Sequence, residues 1–269
     1  FITACASDSY QIKGKIEGAD NLPVFLKSVE GNNLVIIDST TVSGGIFSFK
    51  GNVSVPDLYG IQVGYNQEDL ILLFIENSKI SITGKLDELA DHVVKGSKSH
   101  TIVMDFHEQL DARNVMVQDL MDRYQTAAMT GVLTDEMEAD FIAEYNMLSA
   151  EIQDFVVDFV VKNSNSVAAA YITIQYLADI LPTDELSAIV DNFPESIHGS
   201  TFVKHCIERV ETAKRTEIGQ PYTDFTLPNP DGEMLSLSSF VGNSFVLVDF
   251  WAAWCSPCRR KNPSMVKLY

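Results

Sequence analysis

Val246-Leu247-Val248-Asp249-Phe250-Trp251-Ala252-Ala253-Trp254-Cys255-Ser256-Pro257-Cys258 decides how the C-terminal part of the chain folds. The apolar run ahead of the tryptophans predicts a buried strand over residues 245–250. A tight turn follows, then a helix that opens at Cys255 and is bent by Pro263. A thiol at a helix start sits against free backbone N–H groups and the positive end of the helix dipole, which favours its thiolate. Cys258, three residues on, can close a disulfide with it. The pair is a candidate for reversible two-electron thiol exchange.

The chain has 269 residues, enough for about two domains. With 46% hydrophobic and 21% charged residues, it has the material for a packed core. The net charge of −18 is not evenly spread. Residues 1–96 carry 7 Lys and Arg against 12 Asp and Glu, residues 97–218 carry 8 against 21, and residues 219–269 carry 4 against 4. The acidity belongs to the middle segment, where it reads as a solvated helical face. It argues against binding nucleic acid or an anionic membrane through the protein surface.

Four cysteines, Cys5, Cys206, Cys255 and Cys258, are too few for a disulfide scaffold. No apolar run reaches the roughly 18 residues a spanning helix needs. Phe1-Ile2-Thr3-Ala4-Cys5-Ala6-Ser7 is similar to the tail of a bacterial lipoprotein signal peptide: small residues precede a cysteine and a polar tether follows. That resemblance implies lipidation at Cys5 and a place on a membrane surface outside the cytoplasm, the lipid being the only membrane attachment.

Residues 10–96 read as β-rich. Residues 10–16 and 46–53 alternate apolar with polar, residues 34–37, 59–63, 70–75 and 79–83 add short strands, and Gly, Pro, Asn and Asp punctuate them. Residues 97–218 read as helical. Val103, Phe106, Leu110, Val117, Leu120 and Tyr124 keep a helical rhythm, as do Met137, Phe141, Tyr145, Leu148, Ile152, Phe155 and Phe159. The short link through Gly131 predicts an antiparallel helical hairpin, with Thr134 capping its second arm. Shorter helices are expected near 165–179, 183–192 and 199–215. In the third segment, Asn229-Pro230-Asp231-Gly232 predicts the turn of a β-hairpin.

Residues 219–269 resemble the N-terminal part of a thioredoxin-fold domain of the TlpA/ResA type. The matching pieces are Gly219-x-Pro221-x-x-Asp224-Phe225-x-Leu227, Asp231-Gly232, Leu235-Ser236-Leu237, the run from Val246 to Cys258, and Pro263. Upstream, Ile37-Asp38-Ser39, Phe47-Ser48-Phe49-Lys50-Gly51, Ile75-Glu76-Asn77 and Gly96-Ser97 are similar to envelope lipoproteins that place a β-rich domain and a helical segment before such a unit. The expectation is a multidomain α+β chain in four parts. Residues 1–9 are a signal remnant and tether, and 10–96 an antiparallel β sandwich or barrel-like domain. Residues 97–218 are a helical hairpin or bundle, and 219–269 a partial thioredoxin-like α/β unit. The resemblance also implies that the thioredoxin fold is cut short within this chain.

What the resemblance implies for chemistry is specific. Cys255 is the nucleophile that attacks a substrate disulfide, and Cys258 resolves the mixed disulfide. Pro257 has no N–H to lose in the first turn and holds the sulfurs in register. Trp254 shields one side, and Ser256 fills the slot that tunes the reduction potential. Asp249 stands where thioredoxins keep a buried acid, implying a proton relay for Cys258. The family often carries a glutamate three residues after the second cysteine; this chain has Lys261 there. The implied partners are protein disulfides and an envelope electron donor, with no cofactor and no metal.

Three rivals can be weighed. A zinc site would need Cys206 with His205 or His198 to complete the Cys255 and Cys258 pair, and the Trp-Cys-x-Pro-Cys context after a strand argues against it. A peroxiredoxin would need Pro and Thr or Ser where this chain has Val248 and Ala252. An envelope lipoprotein whose first 218 residues bind a partner, with the redox unit secondary, is the alternative from a different class. Cys206, among Phe202, Val203, Ile207 and Val210, is expected to be a buried structural thiol.

Overall fold

The computed structural model describes residues 8–31, 33–242 and 245–268. Cys5, the expected lipidation site, lies outside the described residues. Contacts divide the chain into one compact unit ending at Arg215 and a second beginning at Thr216.

The first unit starts with β1 (Tyr10–Glu17), β2 (Pro23–Glu30), β3 (Asn33–Thr41), β4 (Ile46–Gly51), β5 (Asp57–Val63), β6 (Leu70–Ile75), β7 (Lys79–Lys85) and β8 (Val93–Lys95). They form two four-stranded sheets, ordered β4-β1-β7-β8 and β3-β2-β5-β6. Strict alternation in β1 turns Ile12 and Ile16 inward, where they share one core with Val24 and Leu26 of β2, Ile61 of β5 and Leu73 of β6. One expectation is corrected, and one strand was not expected. The first sheet is mixed rather than antiparallel, because β1 and β7 run parallel, Ile12 beside Ile80 and Gly14 beside Ile82. The chain reaches β7 only after building the second sheet, and that long excursion permits the parallel pairing. And β2, which opens on a proline and mixes polar residues into a half-buried face, gave too weak an alternation to be read as a strand.

The helical part follows as α1 (Lys98–Thr130), α2 (Asp135–Lys162), α3 (Val167–Tyr176), α4 (Thr183–Val190) and α5 (Thr201–Arg215). Ser97 caps α1, its hydroxyl accepting the His100 N–H at 3.1 Å, and Thr134 caps α2 in the same way. Gly131 ends α1 in the left-handed region with φ 71°. Phe106 stacks among Phe155, Phe159 and Tyr176 and is fully buried, the centre of a second core.

The β-rich and helical parts are tied together by named contacts. Phe74 of β6 turns to the helical side and meets Tyr171 at 5.6 Å and Phe202 at 6.2 Å between ring centres. Asp57 of β5 accepts the Thr201 N–H at the start of α5, at 2.8 Å. Glu76 accepts the Lys98 N–H and the Ser99 hydroxyl at the start of α1. Both carboxylates face helix N-termini, the end where negative charge is favoured. Ile75-Glu76-Asn77 and Gly96-Ser97 are therefore the structural joint between strands and helices.

The second unit holds β9 (Thr226–Pro228) paired antiparallel with β10 (Met234–Ser236), and α6 (Ser256–Leu268). The expected buried strand over 245–250 is not formed: these residues have no sheet partners, and they are exposed. A strand exists only where a neighbour takes its N–H and C=O groups, and no described strand pairs with this run.

Candidate thiol exchange site

The site is built at the start of α6. The Cys255 N–H donates to the Ala252 carbonyl at 3.0 Å, closing the turn after the tryptophans. The Cys255 carbonyl then accepts from the Arg259 N–H at 3.1 Å, the first bond of the helix. Cys255 thus occupies the cap position, and its Sγ accepts the Cys258 N–H at 3.3 Å. The sulfurs are joined in a disulfide, with the two Cα atoms 5.3 Å apart. Pro257 lies in the first turn, where its missing N–H has no helical partner to lose. Pro263 lies inside the helix and takes away the N–H that the Arg259 carbonyl would accept.

Both cysteines are half-buried, and Cys258, Asn262 and Met265 make the half-buried face of α6. Ser256 and Pro257 are exposed, and so is Trp254, at 87%. The ring therefore stands in solvent instead of covering the disulfide. Asp249 is exposed as well, not buried as expected, and its carboxylate lies 3.9 Å from the Lys261 ammonium. The sequence alone does not join Lys261 to Asp249. Its pairing with Asp249 joins residues across a turn, and no local spacing announces it.

The hairpin beside the site is held by side chains. Asn229 Oδ1 accepts the N–H groups of Asp231 and Glu233, and Gly232 takes the positive φ the turn requires. Asp224 accepts the Ser238 N–H at 2.8 Å, and the hydrogen bonding from Ser238 holds its carboxyl below the usual carboxylate range. An open apolar cleft runs past Phe225, Leu237, Phe240, Val246, Val248 and Met265.

Cys206 is fully buried in the first unit, its thiol directed at the Ala170 carbonyl at 3.6 Å. Burial pushes it up to about 12, so it stays protonated and inert, as its apolar neighbours predict. Among the described residues, no group of three or more His, Cys, Asp or Glu side chains is placed to hold a metal ion. No helix among them is long and apolar enough to cross a membrane.

Comparison with known proteins divides along the chain. Residues 10–103 match a domain of unknown function, DUF4369. Residues 218–269 match the AhpC/TSA family. Thioredoxin-like protein YneN of Bacillus subtilis (strain 168) is 48% identical over 50 residues, 19% of this chain and 29% of that protein. Thiol-disulfide oxidoreductase ResA of Bacillus thuringiensis subsp. konkukian is 34% identical over 56 residues, 21% of this chain and 32% of that protein. ResA of Geobacillus kaustophilus is 38% identical over 52 residues, 19% and 29% of the two chains. The chain spans about a third of the length of these relatives. No solved structure matches it. Residues 218–269, the cysteine pair included, are the thioredoxin-like, AhpC/TSA-family part of this chain, and a DUF4369 stretch precedes them.

Proposed function

We propose that the protein is a thiol-disulfide oxidoreductase of the bacterial envelope that exchanges dithiol and disulfide at Cys255 and Cys258. The observation that carries this reading is the Cys258 N–H directed at Cys255 Sγ, at a helix start, in a segment similar to ResA and YneN. That amide and the helix dipole stabilise negative charge on Cys255 and not on Cys258. The two sulfurs thereby take different roles.

In the reduced protein, the Cys255 thiolate attacks one sulfur of a substrate disulfide. The substrate S–S bond breaks, its other sulfur leaves as a thiolate and takes a proton from water, and a mixed disulfide forms. Cys258 gives its proton to water and attacks Cys255 Sγ. The second substrate thiolate leaves, and the Cys255–Cys258 disulfide remains. Two electrons have passed to the substrate, so an external dithiol must restore the reduced pair. Trp254 and Trp251, both exposed, offer apolar surface to a substrate chain beside the disulfide. Lipidation at Cys5 holds the protein on the membrane, and in sequence the DUF4369-matching stretch and the helices lie between that anchor and the redox unit.

Insulin reduction in dithiothreitol by the full-length protein tests the reading. Cys255→Ser should bring the rate to the uncatalysed background, and a rate equal to wild type would overturn the proposal.

A further inference from the structure

Outside the redox unit, the largest unexplained feature is the outer half of the α1–α2 hairpin. The helix α1 is 33 residues, about 50 Å, long. Its first turns, and the last turns of α2, pack into the helical core through Val103, Phe106, Leu110, Val156, Phe159 and Val160. Beyond them, between residues 114 and 150, only Leu120, Ala127 and Leu148 are buried.

On one side of this outer half lies an apolar groove. Leu120 forms its buried floor, and Tyr124 and Phe141 meet edge to face above it at 5.5 Å. Met121, Ile142 and Tyr145 stand exposed along it, by 39%, 56% and 44%. Glu138 closes one end, with Asp135 one turn before it on the same helix. A groove between two antiparallel helices is the shape that receives a third helix, and methionine and tyrosine are side chains suited to adaptable contact there.

Charge decides what kind of helix. Residues 114–150 carry seven carboxylates and a single cation, Arg123. Arg123 is already engaged, with Asp119 at 3.1 Å and Glu144 at 2.5 Å. The helix dipole accounts for some of the acids in the first turn of α2, but it supplies no cation to the rest. A second copy would bring seven more carboxylates to this outer half, which like-charge repulsion opposes. A helix with Lys and Arg beside an apolar stripe complements both the groove and its rim.

We propose that the outer half of the α1–α2 hairpin is a docking surface for a basic amphipathic helix of a partner protein, seated on Met121, Tyr124, Phe141, Ile142 and Tyr145. This surface shares no residue with the cysteine pair and does not depend on the redox reading.

The probe is a fluorescent 18-residue helical peptide of Leu and Lys with its leucines at i, i+3, i+4 and i+7, titrated with the 269-residue chain. A matched Leu and Glu peptide serves as control. The Leu/Lys peptide should bind and the control should not. The variant I142S/Y145S, which keeps the net charge, should lose at least about tenfold in affinity with an unchanged circular dichroism spectrum. Glu138→Gln should weaken binding severalfold and reduce its salt dependence. Equal affinity for wild type and I142S/Y145S would reduce the binding to bulk charge and overturn the proposal. So would a wild-type dimer by light scattering that I142S/Y145S makes monomeric, because a second copy would then own the surface.

Discussion

Two glycines show how far a single position can be read. Gly96 was visible as part of a Gly-Ser pair, but its reason is a contact 17 residues away in sequence. Its φ is +92°, and a Cβ there would meet the Lys79 carbonyl oxygen at 1.9 Å. Gly131 also has positive φ, +71°, yet nothing lies within 4 Å of where its Cβ would be. Both substitutions to alanine strain the backbone, but only one also forces strands apart. Gly96→Ala should lower stability by roughly 3 kcal/mol, and Gly131→Ala by about 1 kcal/mol. Urea unfolding of the two variants checks this, and equal losses would contradict the packing argument. The cysteine pair was legible from sequence for a similar local reason: cap, proline and second thiol all lie within one helical turn. Asp249 and Lys261 were legible only as residue types, because their pairing depends on the path of the turn between them.

Among the elements, α1 carries a titratable group at its buried start. His100 is in the first turn, and burial, followed by the charges of His92 and His107, lowers it from 6.5 to about 4. The unfolded chain therefore binds a proton at a pH where the folded chain does not. This contribution is complete above pH 6.5, falls as the pH drops toward about 4, and levels off below that, a loss on the order of 3 kcal/mol. His100→Gln should flatten unfolding free energy against pH across that window, and an unchanged slope would contradict the assignment. Element type was readable where periodicity was strong, as in β1, α1 and α2. It failed in two physically different ways. In β2 the alternation was diluted by polar residues and an opening proline. Over 245–250 the apolar pattern was plain, but a strand is a property of a pair, and the described residues hold no partner for it.

For the whole molecule, the described residues of both apolar cores lie within residues 10–210, inside the first unit. A chain ending at Arg215 should therefore unfold cooperatively in urea at the same midpoint as the 269-residue chain, and a clear drop in midpoint would show that the cores depend on the redox unit. The joint made by Asp57, Glu76 and Phe74 was beyond sequence reasoning, since each contact spans a long stretch of chain. The central claim concerns chemistry at the other unit, namely that Cys255 attacks and Cys258 resolves. Trapping tests it most directly. The variants Cys258→Ser and Cys255→Ser, reduced and then mixed with a disulfide-bonded protein such as insulin, are quenched with acid and separated on a non-reducing gel. The account predicts a mixed disulfide that accumulates with Cys258→Ser and is absent with Cys255→Ser; trapping by both variants alike, or by Cys255→Ser alone, would contradict it.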